Sequence, residues 1–262
     1  MRIPFYQVDA FTDVPFRGNP AAVCLLPAEL DERSMQNIAA ENNLAETAFL
    51  VGGNGAYRLR WFAPEQEIDL CGHATLAAAY VLFQFIEPQA PRLTFHTLSG
   101  TLSVVRAGDR LTMDFPARPP VPTIEPPMLE EAIPWRPLEV LQSRDLMLVY
   151  DSEEAIHQIL PDMTLLKEIP EAHGVIITAP GNAVDFVSRY FAPKAGIPED
   201  PVTGSAHCTL VPYWAKRLRK KNLHARQVSF RGGELWCEDR GDRVTLSGQA
   251  VLFAKGEILL PD

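Results

Sequence analysis

One half of this chain is echoed in the other. Arg60-Trp61-Phe62-Ala63-Pro64 returns as Arg189-Tyr190-Phe191-Ala192-Pro193, Gly72-His73-Ala74 as Gly204-Ser205-Ala206, and Gly108-Asp109-Arg110-Leu111-Thr112 as Gly241-Asp242-Arg243-Val244-Thr245. The offsets are 129, 132 and 133 residues, close to half of the 262-residue chain. A repeat on this scale, kept in order, constrains the fold more than any single motif does, because each copy is one folding unit built to one plan. It predicts two similar domains, residues 1–117 and 118–262, each near the commonest domain size. Their matching elements are expected to face each other across a cleft, and the cleft is where function is expected.

Composition narrows the class. Hydrophobic residues make up 47% and charged residues 22%, enough for two cores in an ordinary globular chain. A net charge of −9 argues against nucleic acid or an anionic membrane as partner, since phosphate binding needs a basic face. The basic run from Lys216 to Lys221 reads as a solvated helix C-terminus, where cations complement the dipole. Cysteines 24, 71, 208 and 237 are far apart and form no CxxC, and Met1-Arg2-Ile3-Pro4-Phe5 leads straight into a strand-like segment. A reduced, cytoplasmic chain is expected. No apolar stretch reaches the roughly 20 residues of a membrane span.

Both copies show the same order of elements. In the first, strands over Phe5 to Phe11 and Ala21 to Leu26 precede a helix over Glu32 to Glu41 with Asp31 as N-cap. Thr47 to Val51 and Tyr57 to Phe62 form a hairpin around Gly52-Gly53-Asn54-Gly55, and a helix follows from His73 to about Phe85. Strands near Arg92 to His96, Thr101 to Val105 and Leu111 to Phe115 complete the copy. A proline-rich stretch, Pro116 to Pro122, reads as a stiff linker. The second copy gives a strand over Leu146 to Tyr150, a helix through Ile159 capped by Asp151 or Ser152, and a hairpin over Val175 to Thr178 and Asp185 to Phe191. A helix over Gly204 to Leu218 follows, then strands at Val228 to Phe230, Glu234 to Glu238 and Val244 to Leu246. The helix from Ala74 is apolar nearly all round and must be enclosed on every side, which strands curling around it would achieve. Its partner carries Pro212 in its interior, which predicts a kink.

The chemistry concentrates where these two helices begin. Gly72-His73 and Gly204-Ser205 put a glycine and a short polar residue at each start, and backbone N–H groups there bind anions without a cationic side chain. Two such termini would grip a small acid; a single one is better read as a tight turn with Ser205 as a cap, and the recurrence in both copies shifts that balance. Asp69 and Asp200 match between the copies, whereas Glu46 has no acidic counterpart. An acid at the mouth of an apolar strand, if buried, is suited to general base work; the bland alternative leaves Glu46 facing solvent. His73 has the proton affinity to act as acid, base or donor near neutral pH. Cys71 precedes the first glycine and Thr203 the second, so a matched pair of thiols is replaced by one thiol and one hydroxyl. Cys71 with His73, or His207 with Cys208, is too sparse for zinc, and no metal is expected. GxGxxG, GxxxxGK[ST] and GxSxG are all missing, which removes the sequence support for nucleotide binding and for a serine-hydrolase elbow.

Four segments taken together resemble the phenazine-biosynthesis isomerase (PhzF-like) family, within the diaminopimelate-epimerase-like fold. They are Val8-Asp9-Ala10-Phe11 with Gly18-Asn19-Pro20-Ala21-Ala22-Val23, Glu41-Asn42-Asn43-Leu44-Ala45-Glu46-Thr47-Ala48-Phe49, Asp69-Leu70-Cys71-Gly72-His73-Ala74-Thr75, and Glu199-Asp200-Pro201-Val202-Thr203-Gly204-Ser205-Ala206-His207. The resemblance covers essentially the whole chain. It implies an α+β protein of two pseudo-twofold-related domains, each a strand-wrapped central helix, with a cofactor-free site between them and a homodimer. In the characterised phenazine enzyme a glutamate moves a proton along a dihydro-hydroxyanthranilate, and that glutamate's motif matches Glu46. The resemblance places His73, Asp200 and Ser205 as helpers, with Asn19, Gly72 and Gly204 as substrate-holding positions and Cys71 and Thr203 beside them. Ala45 stands where serine is expected. The competing readings are an epimerase or dehydratase using Cys71 and Thr203, and a non-catalytic small-molecule or protein-binding member of the family.

Overall fold

The computed structural model describes residues 1–170 and 173–261. The chain divides into two compact units, Met1–Asp114 together with the segment from Ser247 onward, and Phe115–Leu246.

The first unit runs β1 (Arg2–Ala10), β2 (Asn19–Leu25), α1 (Glu32–Asn42), β3 (Glu46–Gly53), β4 (Ala56–Phe62), β5 (Glu67–Ile68), α2 (Gly72–Val81), a π-turn (Leu82–Ile86), β6 (Arg92–Thr97), β7 (Gly100–Ala107) and β8 (Arg110–Pro116). Along its sheet the strands pair in the order β1, β2, β3, β4, β6, β7, β8. The β2/β3 and β4/β6 joins are parallel and the others antiparallel. A parallel join needs a crossover, and α1 and α2 supply one each. Asp31 accepts the Ser34 N–H and caps α1 as expected, and Asn54 and Gly55 take the positive φ of the β3/β4 turn. Helix α2 packs against β1, β2 and β3, and nine of its ten residues are buried. Its largely apolar sequence is therefore matched by enclosure. On the outer face of the sheet α1 covers Phe49 and Phe62, whose rings meet edge to face at 5.6 Å.

The second unit runs β9 (Val121–Pro122), α3 (Leu129–Ala132), β10 (Glu139–Gln142), β11 (Leu146–Val149), α4 (Glu153–Gln158), α5 (Met163–Glu168), β12 (Val175–Pro180), β13 (Phe186–Ala192), a 3-10 turn (Pro193–Ala195), β14 (Ile197–Asp200), α6 (Gly204–Leu218), β15 (Asn222–Gln227), β16 (Gly233–Asp239) and β17 (Arg243–Gly248). Here β10/β11 is antiparallel, β11/β12 parallel, β12/β13 antiparallel, β13/β15 parallel and β15/β16 antiparallel. This is the pairing sequence of β1, β2, β3, β4, β6 and β7 over again, so the repeat in sequence is a repeat in topology.

The division at 117/118 differs at its far end. The last strand, β18 (Ala250–Leu259), pairs antiparallel with β1 and packs on α2, so it belongs to the first unit. β1 needs a neighbour on its second edge, and β18 provides it. The proline-rich stretch is no plain linker either: Val121–Pro122 forms an edge pair with β10, a place where proline's missing N–H is tolerated.

One further expectation is corrected. The strand expected at Val228 to Phe230 is β15, over Asn222–Gln227; Leu223, Ala225 and Gln227 point inward there, an inner face too polar and too small to read as a strand. Phe230, by contrast, is exposed in the turn that follows. Pro212 sits inside a single continuous α6. It cannot donate to the carbonyl of Cys208, four residues back, and the N–H of Arg118 donates there instead at 2.8 Å.

Candidate active site

In the first unit, local sequence aims four polar side chains at one point. Asn43 takes the left-handed conformation (φ 48°) that ends α1, and Asn42 Nδ2 donates to Thr47 Oγ1 at 3.1 Å. The turn is thereby fixed and Glu46 becomes the first residue of β3. Gly18 has φ +64°, and a Cβ there would lie 2.1 Å from the Ala10 carbonyl oxygen. Only glycine fits, and it delivers Asn19 as the first residue of β2. β2 and β3 are parallel, with Ala21 opposite Glu46, so Asn19 and Glu46 lie at the same end of the sheet. Cys71 and His73 come from the start of α2.

The four groups form one contact set. His73 Nε2 lies 2.9 Å from Glu46 Oε2, Asn19 Nδ2 lies 3.0 Å from His73 Nδ1, and Cys71 Sγ lies 3.6 Å from the same Nδ1. Glu46 is 8% exposed and His73 4%, which removes the solvent-facing reading of the glutamate. The Glu46–His73 approach is close but not aligned as a hydrogen bond, so it is an electrostatic contact and both atoms keep their hydrogen-bonding capacity. Burial alone would push the His73 imidazole down, but the Cys71 sulfur and the Glu46 carboxylate more than offset it and hold it well above the usual range. Burial, and then the Glu46 carboxylate, push the Cys71 thiol up. With Asn19 Nδ2 facing the ring, Nδ1 accepts and the proton sits on Nε2; the charged ring needs the amide turned to present its oxygen.

Glu46, Cys71 and His73 are also the one grouping of three metal-ligand types among the described residues. The thiol lies against Nδ1 and the carboxylate against Nε2. One ligand atom from each of the three lies within 4.8 Å of the others.

The second unit repeats the helix start with different side chains. Asp200 ends β14 and is buried, Thr203 is the N-cap of α6, and its hydroxyl donates to Asp200 Oδ2. Gly204 opens the helix and Ser205, half-buried, follows it; Ser205 is inside the first turn and is not the cap. Asp69, the sequence counterpart of Asp200, is exposed, so the match in spacing is not a match in environment. His207 Nδ1 donates to the Thr203 carbonyl at 2.8 Å. Sequence reasoning missed Gln227, which binds this segment from β15.

The helix starts fall into two groups. Asp31, Ser152 and Asp162 cap α1, α4 and α5 through their side chains. Cys71 and Thr203 make no side-chain cap on α2 and α6, nor does Met128 on the four-residue α3. The two enclosed helices thus keep the N–H groups and dipole that suit an anion. Among the described residues no helix is long and apolar enough to cross a membrane.

Residues 8–256 match the family model described as phenazine biosynthesis-like protein. An uncharacterized isomerase of Pseudomonas aeruginosa is 53% identical over 99% of this chain and 100% of its own length. The crystal structure of a phenazine biosynthesis protein of the PhzF family from Enterococcus faecalis superposes with a TM-score of 0.96, at 50% identity, covering 99% of this chain and 100% of that one. A hydroxyproline epimerase from Agrobacterium vitis shares the fold at 13% identity, with a TM-score of 0.64 over 100% of this chain and 93% of that one.

Proposed function

Since this chain belongs to the phenazine biosynthesis-like family of isomerases, we propose that it moves a proton within a small unsaturated carboxylic or amino acid, with Glu46 as the group that carries the proton. The carboxylate of Glu46 takes an acidic C–H proton, leaving the electron pair delocalised over the conjugated system. The resulting Glu46 acid returns the proton at another carbon of that system, so no net charge or electron is gained. His73, beside the carboxylate, donates toward the delocalised anion. The N–H groups of Gly72 and Gly204 hold the substrate carboxylate, and Asn19, Asp200 and Ser205 orient it, with Cys71 and Thr203 next to them. This reading needs no cofactor and is compatible with a homodimer in the cytoplasm.

The observation that carries it is the buried Glu46 carboxylate, 2.9 Å from His73 with hydrogen-bonding capacity unspent. Cys71 is the poorer base, because its burial favours the neutral thiol. Incubation with candidate acids in heavy water, read as solvent deuterium entering the acid, tests the proposal. Glu46→Gln is expected to slow exchange by about 10²- to 10⁴-fold, and Cys71→Ser to leave most of it. Exchange surviving the first change and lost in the second would replace Glu46 by Cys71.

A further inference from the structure

Gln227 is the last residue of β15 and is fully buried. A buried amide must satisfy both a donor and an acceptor, and this one spends both on a single stretch of chain. Its Nε2 donates to the Asp200 carbonyl at 2.6 Å and lies 3.3 Å from Thr203 Oγ1, and its Oε1 accepts the Thr203 N–H at 2.8 Å. Two residues further on, Ser229 Oγ donates to the Pro201 carbonyl at 2.8 Å. The chain is thus tied down from Asp200 to Thr203, just where it enters α6.

The first unit has a weaker version of this device. Ser99 Oγ donates to the Asp69 carbonyl at 2.8 Å from the turn after β6, but both residues are exposed. The tether to the backbone is common to both copies, and the buried amide that also engages the N-cap residue is found in the second.

We infer that Gln227 is a positioning residue: it fixes the Asp200–Thr203 segment, and through the Thr203 hydroxyl the orientation of the Asp200 carboxylate. Asp200 and the N–H groups at the start of α6 then present one geometry to an acidic substrate. The inference rests on the reading of that helix start as part of the substrate site. It also explains the residue type. Glutamate would accept from Thr203 but could not donate to Asp200, and methionine would do neither.

The test uses 15N-labelled full-length protein as wild type, Gln227→Met and Gln227→Glu, with anthranilate as the probe acid. In Gln227→Met the Thr203 amide is expected to exchange with solvent about tenfold faster, as its buried partner is lost, while amides in β12 keep their protection. Gln227→Glu should keep the Thr203 amide protected. In both variants anthranilate, followed at the Gly204 and Ser205 amides, should bind about tenfold more weakly. A residue with only a structural role would speed exchange across the whole core and leave the probe's affinity unchanged. Unchanged Thr203 exchange in Gln227→Met, or wild-type affinity in a variant with a loosened Thr203, overturns the inference. If Gln227→Met does not fold, the affinity of Gln227→Glu decides, and wild-type affinity there is negative. If wild type shows no response to anthranilate at Gly204, Ser205 or His73, the substrate-site reading falls, while Thr203 exchange still shows whether Gln227 holds the segment.

Discussion

The N–H of Arg118 donates to the carbonyl of Cys208 at 2.8 Å, filling the acceptor left vacant by Pro212 four residues later. A proline in an apolar helix is thereby matched by a donor from a distant part of the same unit. Each feature makes sense only with the other.

Arg118→Pro should therefore destabilise the protein by about 1–3 kcal/mol, because a buried carbonyl is left without a donor. In a Pro212→Ala background the same change should cost less, since residue 212 can then donate within the helix. Urea unfolding of the four proteins of this cycle measures the coupling. Additive effects would mean that Arg118 does not compensate for Pro212.

Two histidines should bend stability in opposite directions with pH. Burial holds His207 down at about 4, with its bond to the Thr203 carbonyl opposing, against about 6.5 in an unfolded chain. Between those values the unfolded state binds a proton that the folded state does not, so stability falls as pH drops through 6.5 toward 4, by about 3 kcal/mol from this group. His73 is held well above its ordinary value, so its contribution is fully present below about 6.5 and is lost as pH rises toward its folded value. Denaturant midpoints from pH 4 to 8 should show the acid limb flattened in His207→Gln and the alkaline limb flattened in His73→Gln. An unaltered acid limb in His207→Gln would remove His207 as its source.

All four cysteines are buried, and burial pushes Cys24 and Cys208 up to about 12 and raises Cys71 as well. Thiol titration with a disulfide reagent at pH 8 should find no rapidly reacting group in the native protein, and four after guanidinium unfolding. A fast-reacting Cys71 would show an accessible thiolate and favour a cysteine base.

Gly18→Ala should cost on the order of 2 kcal/mol or more, because the added carbon meets the Ala10 carbonyl at 2.1 Å and the residue has φ +64°. Thermal unfolding measures that cost. Since Asn19 is the next residue, the His73 ring resonances should move as well. A thermally silent variant would mean that the loop before β2 relaxes freely.

The repeat was legible because recurring landmarks such as Arg60-Trp61-Phe62 and Arg189-Tyr190-Phe191 mark equivalent strands, β4 and β13. Helix α6 was legible to the residue, since Gly204 opens it and its last turn is cationic. β15 was not, because its inner face is Leu223, Ala225 and Gln227, and the amide there serves hydrogen bonding more than apolar packing. The return of β18 to β1 was also hidden, as strand pairing between distant segments leaves no local signal. At the site, Glu46 and His73 stood out by residue type, but their contact depends on where β3 and α2 begin.

The pairing of β18 with β1 has a consequence for how the protein is made. The second unit is one uninterrupted segment, whereas the first needs a strand that is translated only after that segment is complete. On the ribosome the usual order is inverted: the domain begun first is finished last, and until then β1 waits with an unpaired edge beside the helix that carries His73.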